Sequence, residues 1–230
     1  MADMTTTSRT AIFAKIKAGL ADDTRSDAER RKVVASRIAA PPAHDLPARV
    51  RKPHDDLRAQ FTSYLEGQSA TVVEVATAAD VPEAIAAYLR ANNLPSRVRV
   101  GADVYLAALP WSKVPTLERD GGRASPTDET GVSHASAGIS ETGTLMITSG
   151  AENPVTLNFL PETHVIVVED KDLVGPYEAA LSKVRAKFGN GQMPRTVNLI
   201  SGPSRTGDIG GKLVMGAHGP RRMCVIIVRG

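Results

Sequence analysis

Apolar residues Ile12, Phe13, Ile16 and Leu20 recur at three- and four-residue steps near the start of the chain, the spacing of one helical face. Ser8 is placed to cap that helix. A second helix is predicted from about Ser26 to Ala40, rich in Arg and Lys, with Val33, Val34 and Ile38 as its only sizeable apolar stripe. Prolines at 41, 42, 47 and 53 interrupt both helix and strand. Residues 1–53 therefore read as an N-terminal helical arm and linker, and 54–230 as a separate domain. There the pattern switches repeatedly between periods. Helices are predicted from Asp55 to Glu66, from Val81 to Asn92 behind Asp80 and Pro82, and from Val174 to Phe188. Between them lie strands at Thr71–Val75, Arg97–Val100, Val132–Ala137, Thr144–Thr148, His164–Val168, Thr196–Ile200 and Met223–Val228. A further short helix is predicted from Asp208 to Met215. Strands alternating with helices of about ten to fifteen residues define an α/β fold, a mainly parallel sheet flanked by helices.

Composition adds limits. With 42% hydrophobic and 23% charged residues over 230 positions, the chain is an ordinary globular sequence. A net charge of +3 suits contact with small anions and falls short of a nucleic-acid signature. Aromatic residues at 4% leave little for base stacking. Residues 1–9 lack the basic start and apolar core of a secretory signal, and no apolar run approaches the ~20 residues that span a bilayer. A cytoplasmic location without membrane insertion is the expectation. The single cysteine, Cys224, lies in the run Met223 to Val228 and reads as a small core hydrophobe. Alone it holds neither a disulfide nor an iron–sulfur cluster.

Candidate chemistry concentrates in two glycine-bounded segments at strand ends, where open α/β sheets bind ligands. One is Gly138-Ile139-Ser140-Glu141-Thr142-Gly143-Thr144 and the other is Ser201-Gly202-Pro203-Ser204-Arg205-Thr206-Gly207-Asp208. Glycines there permit close approach of backbone to a ligand, or simply make tight turns. In the second segment, amides at the turn and the following helix start suit an anion, with Ser204, Arg205 and Thr206 as side-chain donors. Ser140, Thr142, Gly143, Thr144, Ser201, Gly202 and Asp208 complete the expected ligand-binding set. Glu141 fits either a general acid–base or nucleophilic role, or an ion pair with Arg205 that ties the two segments together. His218 follows the expected last helix and suits proton exchange or contact with a carboxylate; the alternative is that Gly216 ends the helix and His218 bonds nearby carbonyls. His134 and His164 fall within or at the start of strands and read as structural. No histidine pair has zinc-site spacing. Neither a Gly-x-x-x-x-Gly-Lys-Ser/Thr loop nor a Gly-x-Gly-x-x-Gly turn is present, so no nucleotide cofactor is indicated.

These motifs resemble the lactate-utilization protein C family, the LUD-domain proteins once grouped as a domain of unknown function. The resemblance rests on the segment 138–144, on Leu160-Pro161 followed by His164, on Ser201 through Asp208 with Ile209, and on Gly216-Ala217-His218-Gly219-Pro220. They stand in the family's order over roughly residues 68 to 230. It implies a fold similar to the NagB, ribose-5-phosphate isomerase and CoA-transferase group. It also implies a part in oxidising L-lactate to pyruvate alongside two iron–sulfur partner proteins, with this chain the cluster-free member. The leading expectation is a component that binds a small anionic metabolite between the two segments, with Arg205 gripping it in two-point fashion. The alternatives are a non-catalytic assembly subunit that docks through its basic arm at Glu29-Arg30-Arg31-Lys32, or an independent isomerase or acyl transferase.

Overall fold

The computed structural model describes residues 4–20, 24–41, 45–208 and 210–230. The chain divides into two units, residues 1–44 and 45–230, a division earlier than the expected one after residue 53. Val50 is buried, with the backbone of Gly175 packed against it, so the segment around it belongs to the second unit. Residues 42–44 of the expected linker lie outside the described residues.

The first unit consists of α1 (Met4–Gly19) and α2 (Asp27–Ala39). Because α1 starts at Met4, Ser8 lies inside the helix rather than capping it. Ser26 does cap α2: its Oγ accepts the Glu29 amide while the Glu29 carboxylate receives the Ser26 amide at 2.6 Å, so two orphan donors are satisfied reciprocally.

The second unit runs through α3 (His54–Gly67), β1 (Thr71–Val75), α4 (Val81–Ala91), β2 (Arg97–Val100), α5 (Val104–Ala108) and β3 (Glu118–Gly121). It continues with β4 (Thr130–His134), β5 (Ala137–Ile139), β6 (Thr144–Thr148), α6 (Val155–Phe159), β7 (Thr163–Glu169), β8 (Leu173–Val174) and α7 (Tyr177–Phe188). The last elements are β9 (Val197–Ile200), β10 (Arg205–Thr206), β11 (Val214–Met215) and β12 (Arg222–Val228). Six strands form a wholly parallel sheet in the order β1-β12-β7-β4-β2-β3. A second, mixed sheet has the order β8-β5-β6-β9, and β10 pairs with β11 as a short antiparallel ribbon.

The layers follow from alternation along β7 and β12, whose successive side chains point to opposite faces. Val165, Val167, Cys224 and Ile226 pack with Val81, Ile85 and Leu89 of α4. The intervening Ile166, Val168, Val225 and Ile227 pack with Phe61 and Leu65 of α3 and with Leu145 and Ile147 of the mixed sheet. On the other face of that sheet, Ala137, Ile139 and Met146 meet Ala180 and Val184 of α7. Strands buried on both faces need continuous apolar runs, which is why β7 and β12 read as such. Cys224 is fully buried, and burial pushes its thiol up to about 12, which makes it an inert part of the core.

Two expected elements differ. The strand predicted from Val132 to Ala137 breaks after His134, so that β4 joins the parallel sheet and β5 the mixed one. The helix predicted from Asp208 to Met215 does not form. Gly210 and Gly211 have φ of +62° and +69°, two left-handed residues in succession that a right-handed helix does not accommodate, and Val214–Met215 is β11 instead. Ile209 lies outside the described residues.

Candidate functional site

The segment after β9 folds over a pocket of about 250 Å³. Its walls include Ser201, Gly202 and Ser204, His218 to Pro220, and Asn158, Phe159, His164 and Met223. His164 and Met223 stand at the amino-terminal ends of β7 and β12. Ser204 fixes the geometry of the rim. Its amide donates to the carbonyl of Pro220 at 2.8 Å, its carbonyl accepts from Gly216 at 2.9 Å, and its Oγ accepts the amide of His218 at 3.2 Å. The Ser204 hydroxyl proton is left to donate elsewhere. Gly216 is required at this crossing: its φ is +79°, and a Cβ there would lie 2.5 Å from Cβ of Arg221.

Polar side chains line the pocket beneath this rim. Ser133 Oγ donates to Asn158 Oδ1 at 2.9 Å, so it accepts from His164 Nε2 at 3.0 Å. That assigns the imidazole proton to Nε2 and leaves Nδ1 as an acceptor. His164 is 1% exposed, and burial depresses its pKa to about 3, so the ring is neutral at ordinary pH. Asn158 is equally buried and its Nδ2 has no hydrogen-bond partner among the described residues. An unmet buried amide costs about 1–3 kcal/mol.

The other segment, 138–144, is braced by its neighbours in space. Thr142 Oγ1 lies 2.6 Å from Thr144 Oγ1 and 2.7 Å from the Tyr177 hydroxyl, and Thr144 Oγ1 is 2.6 Å from Ser201 Oγ. Tyr177 also reaches Thr144 at 3.1 Å. Each of these four hydroxyls can donate once within the cluster, so all are satisfied. Gln60 donates to the carbonyl of Ser140 at 2.7 Å, and Arg49 holds the Glu141 carboxylate at 2.6 Å. Ser140 itself is fully buried and its Oγ lacks a partner among the described residues. Gly143 has φ of +63°, and a Cβ there would sit 2.6 Å from Cβ of Tyr64.

Of the residues singled out in the sequence, Ser201, Gly202, Ser204 and His218 line the pocket. Thr144 touches it only through Ser201. Arg205, Thr206 and Asp208 do not line it. Arg205 lies on β10 opposite Met215 and makes no ion pair among the described residues, so the expected pair with Glu141 is replaced by Arg49–Glu141. Thr206 and Asp208 bond each other, Oγ1 to Oδ2 at 3.1 Å. With no helix following Gly207, the expected helix-start amides are absent. Asn158 and Ser133 were not marked by any sequence pattern, and His164, read as structural, is both strand-bound and part of the lining. A signal for it did exist, because Leu160-Pro161 preceding His164 is one of the family motifs. Among the described residues, no cluster of three or more His, Cys, Asp or Glu is arranged to hold a metal ion. None of their helices is long and apolar enough to cross a membrane.

A parallel α/β sheet backed by a smaller mixed sheet, with a partly polar pocket between their strand ends, defines the class. The LUD domain profile matches residues 58–228, and the chain belongs to that family. The lactate utilization protein C of Deinococcus radiodurans is 30% identical over 211 residues, covering 86% of this chain and 91% of that protein. An uncharacterized protein of Neisseria meningitidis serogroup B is 38% identical and the lactate utilization protein C of Shouchella clausii 31% identical, each over 100 residues. Those two matches span less than half of either relative, 42% and 44%. A crystal structure of a DUF162 family protein from Deinococcus radiodurans shares the fold, with a TM-score of 0.58 and 24% identity over 77% of this chain and 99% of that one.

Proposed function

We propose that this protein is a component of an L-lactate utilization system and that the pocket beside Ser204 binds a small 2-hydroxy carboxylate. The names of the relatives from Shouchella clausii and Deinococcus radiodurans support the system. The observation that carries the ligand class is the unpartnered Asn158 Nδ2 beside a neutral His164 in one pocket. A carboxylate accepts from Asn158 Nδ2 and the Ser204 hydroxyl. A 2-hydroxyl donates to Nδ1 of His164, while Phe159 and Met223 face the methyl group. A 2-oxo acid presents only a lone pair to that nitrogen, so L-lactate is preferred over pyruvate. His218 lies exposed at the rim, within reach of the carboxylate.

Converting the C–H and O–H of lactate to a C=O releases two electrons and two protons. One buried cysteine furnishes no cluster to receive the electrons, and the resemblance to the lactate-utilization protein C family implies iron–sulfur partner proteins as their acceptor, with this chain supplying binding. Isothermal titration of the full chain with L-lactate, pyruvate and inorganic phosphate tests the reading. L-lactate is expected to bind more tightly than pyruvate, and Asn158→Ala or Ser204→Ala to weaken it about tenfold, the worth of one lost hydrogen bond of roughly 1.4 kcal/mol. Absence of binding by every small carboxylate overturns the ligand assignment. Failure to co-purify with any iron–sulfur protein from lactate-grown cells overturns the partnership.

A further inference from the structure

The pocket beside Ser204 lies at the amino-terminal ends of β7 and β12, whereas open parallel sheets generally take ligands at the carboxyl ends of their strands. At that opposite edge the molecule has a second and larger crevice, of about 980 Å³. It is lined by residues that directly follow β2, β3 and β6, namely Ala102, Arg123 and the turn Ser149–Ala151, together with Thr156, Arg195 and Thr196. Among the described residues, no carboxylate lines it. Arg123 and Arg195 are exposed and make neither an ion pair nor a side-chain hydrogen bond among the described residues. The nearby acids are committed elsewhere: Asp120 to Arg97 at 2.5 Å, Asp128 to Arg99 at 2.9 Å and Glu152 to Lys187 at 2.7 Å.

The walls are built before any ligand arrives. Ser149 and Thr196 exchange two hydrogen bonds, the Ser149 amide to the Thr196 carbonyl and the Thr196 amide to Ser149 Oγ, both at 2.9 Å. The Ala102 amide donates to the Ala151 carbonyl at 3.0 Å, the Ala124 amide to Thr156 Oγ1 at 3.0 Å and the His134 amide to Asn153 Oδ1 at 3.1 Å. Gly101 lets the turn come close: a Cβ there would fall 1.8 Å from the carbonyl oxygen of Glu152. A concavity fixed this way loses little entropy on binding.

We propose that this crevice is a second binding site, taking a diphosphate-bearing small molecule whose phosphates are gripped by Arg123 and Arg195. Two guanidinium forks on one cavity match the paired oxygens of two linked phosphates, and Ser149 and Thr196 offer hydroxyls beside them. The space exceeds that of the lactate-sized pocket about fourfold, which leaves room for a nucleoside or comparable group beyond the phosphates. The lining holds no aromatic ring, so the phosphates carry the recognition.

The test is titration calorimetry of the full chain with inorganic pyrophosphate and with ADP. Both are expected to bind, more weakly as salt rises. Arg123→Ala and Arg195→Ala should each weaken pyrophosphate at least tenfold and the double variant further, with melting temperatures unchanged because both side chains are exposed. Arg195→Lys, which keeps the charge and loses the fork, should bind with intermediate affinity. Tighter binding of ADP than of pyrophosphate identifies a nucleotide as the source of the phosphates, and equal binding identifies free pyrophosphate. Asn158→Ala must leave both affinities as they are, which separates this site from the lactate pocket. No binding of either probe, or wild-type affinity in the double arginine variant, overturns the proposal.

Discussion

The turn from Gly138 to Thr144 and the turn from Ser201 to Asp208 carry nearly the same stock of glycine, hydroxyl and charged residues, and the fold uses them in opposite ways. In the first, the hydroxyls of Thr142 and Thr144 are satisfied by each other, by Tyr177 and by Ser201, the one carboxylate is held by Arg49, and the unpartnered Ser140 Oγ is fully buried. The second turn ends in an open rim whose Ser204 hydroxyl still has a proton to give, over an Asn158 amide with no partner. A glycine-and-hydroxyl composition therefore signals tight backbone in both places. Unmet hydrogen-bonding capacity beside a cavity is what separates the candidate site from the brace.

The strongest way to break this contrast is to force the closed turn open. Gly143→Ala adds a Cβ against Tyr64 in a left-handed backbone, and should cost about 2–4 kcal/mol in urea denaturation. A loss below about 0.5 kcal/mol would mean that the turn is not braced. Next comes acidification, which probes the buried end of the open pocket. A histidine whose folded pKa lies below its unfolded value of 6.5 is protonated first in the unfolded chain. Stability should thus decline as pH falls from 6.5 toward about 3, by up to about 1.4 kcal/mol per unit from this one group. Denaturation measured across that range in His164→Gln should have a shallower slope than wild type; equal slopes would show that His164 titrates normally. Tyr177→Phe removes the hydroxyl shared by Thr142 and Thr144 and should lower stability by about 1 kcal/mol while leaving L-lactate titration unchanged. The smallest effect belongs to Arg49→Ala. Its partner Glu141 is mostly buried, but Arg49 itself is 53% exposed, so solvent screening limits the loss to about 0.5 kcal/mol, read as a slight fall in melting temperature.

Local patterns carried much of the architecture. Thr71–Val75 and Arg97–Val100 form the strands that their alternation predicts, and the apolar runs at β7 and β12 become the doubly buried centre of the sheet. The errors fall where a neighbour in space overrides the local signal. Val132 to Ala137 reads as one strand because both halves are apolar and small, yet two sheets claim it. The segment after Asp208 has helix-compatible residues around Gly210 and Gly211, and the left-handed φ of those two glycines decides otherwise. Glu141 and Arg205 were natural partners by charge alone; Arg49, from a segment read as linker, takes the carboxylate instead.

The sequence by itself determined the α/β class and the family, because periodicity and motif spacing are properties of neighbours along the chain. Only the tertiary structure decided which turn is a brace and which an opening, that Asn158 and His164 meet beneath Ser204, and that Arg123 and Arg195 share a crevice at the other edge of the sheet. Such meetings depend on strands packed from distant parts of the chain, and on which buried polar groups the packing leaves without a partner.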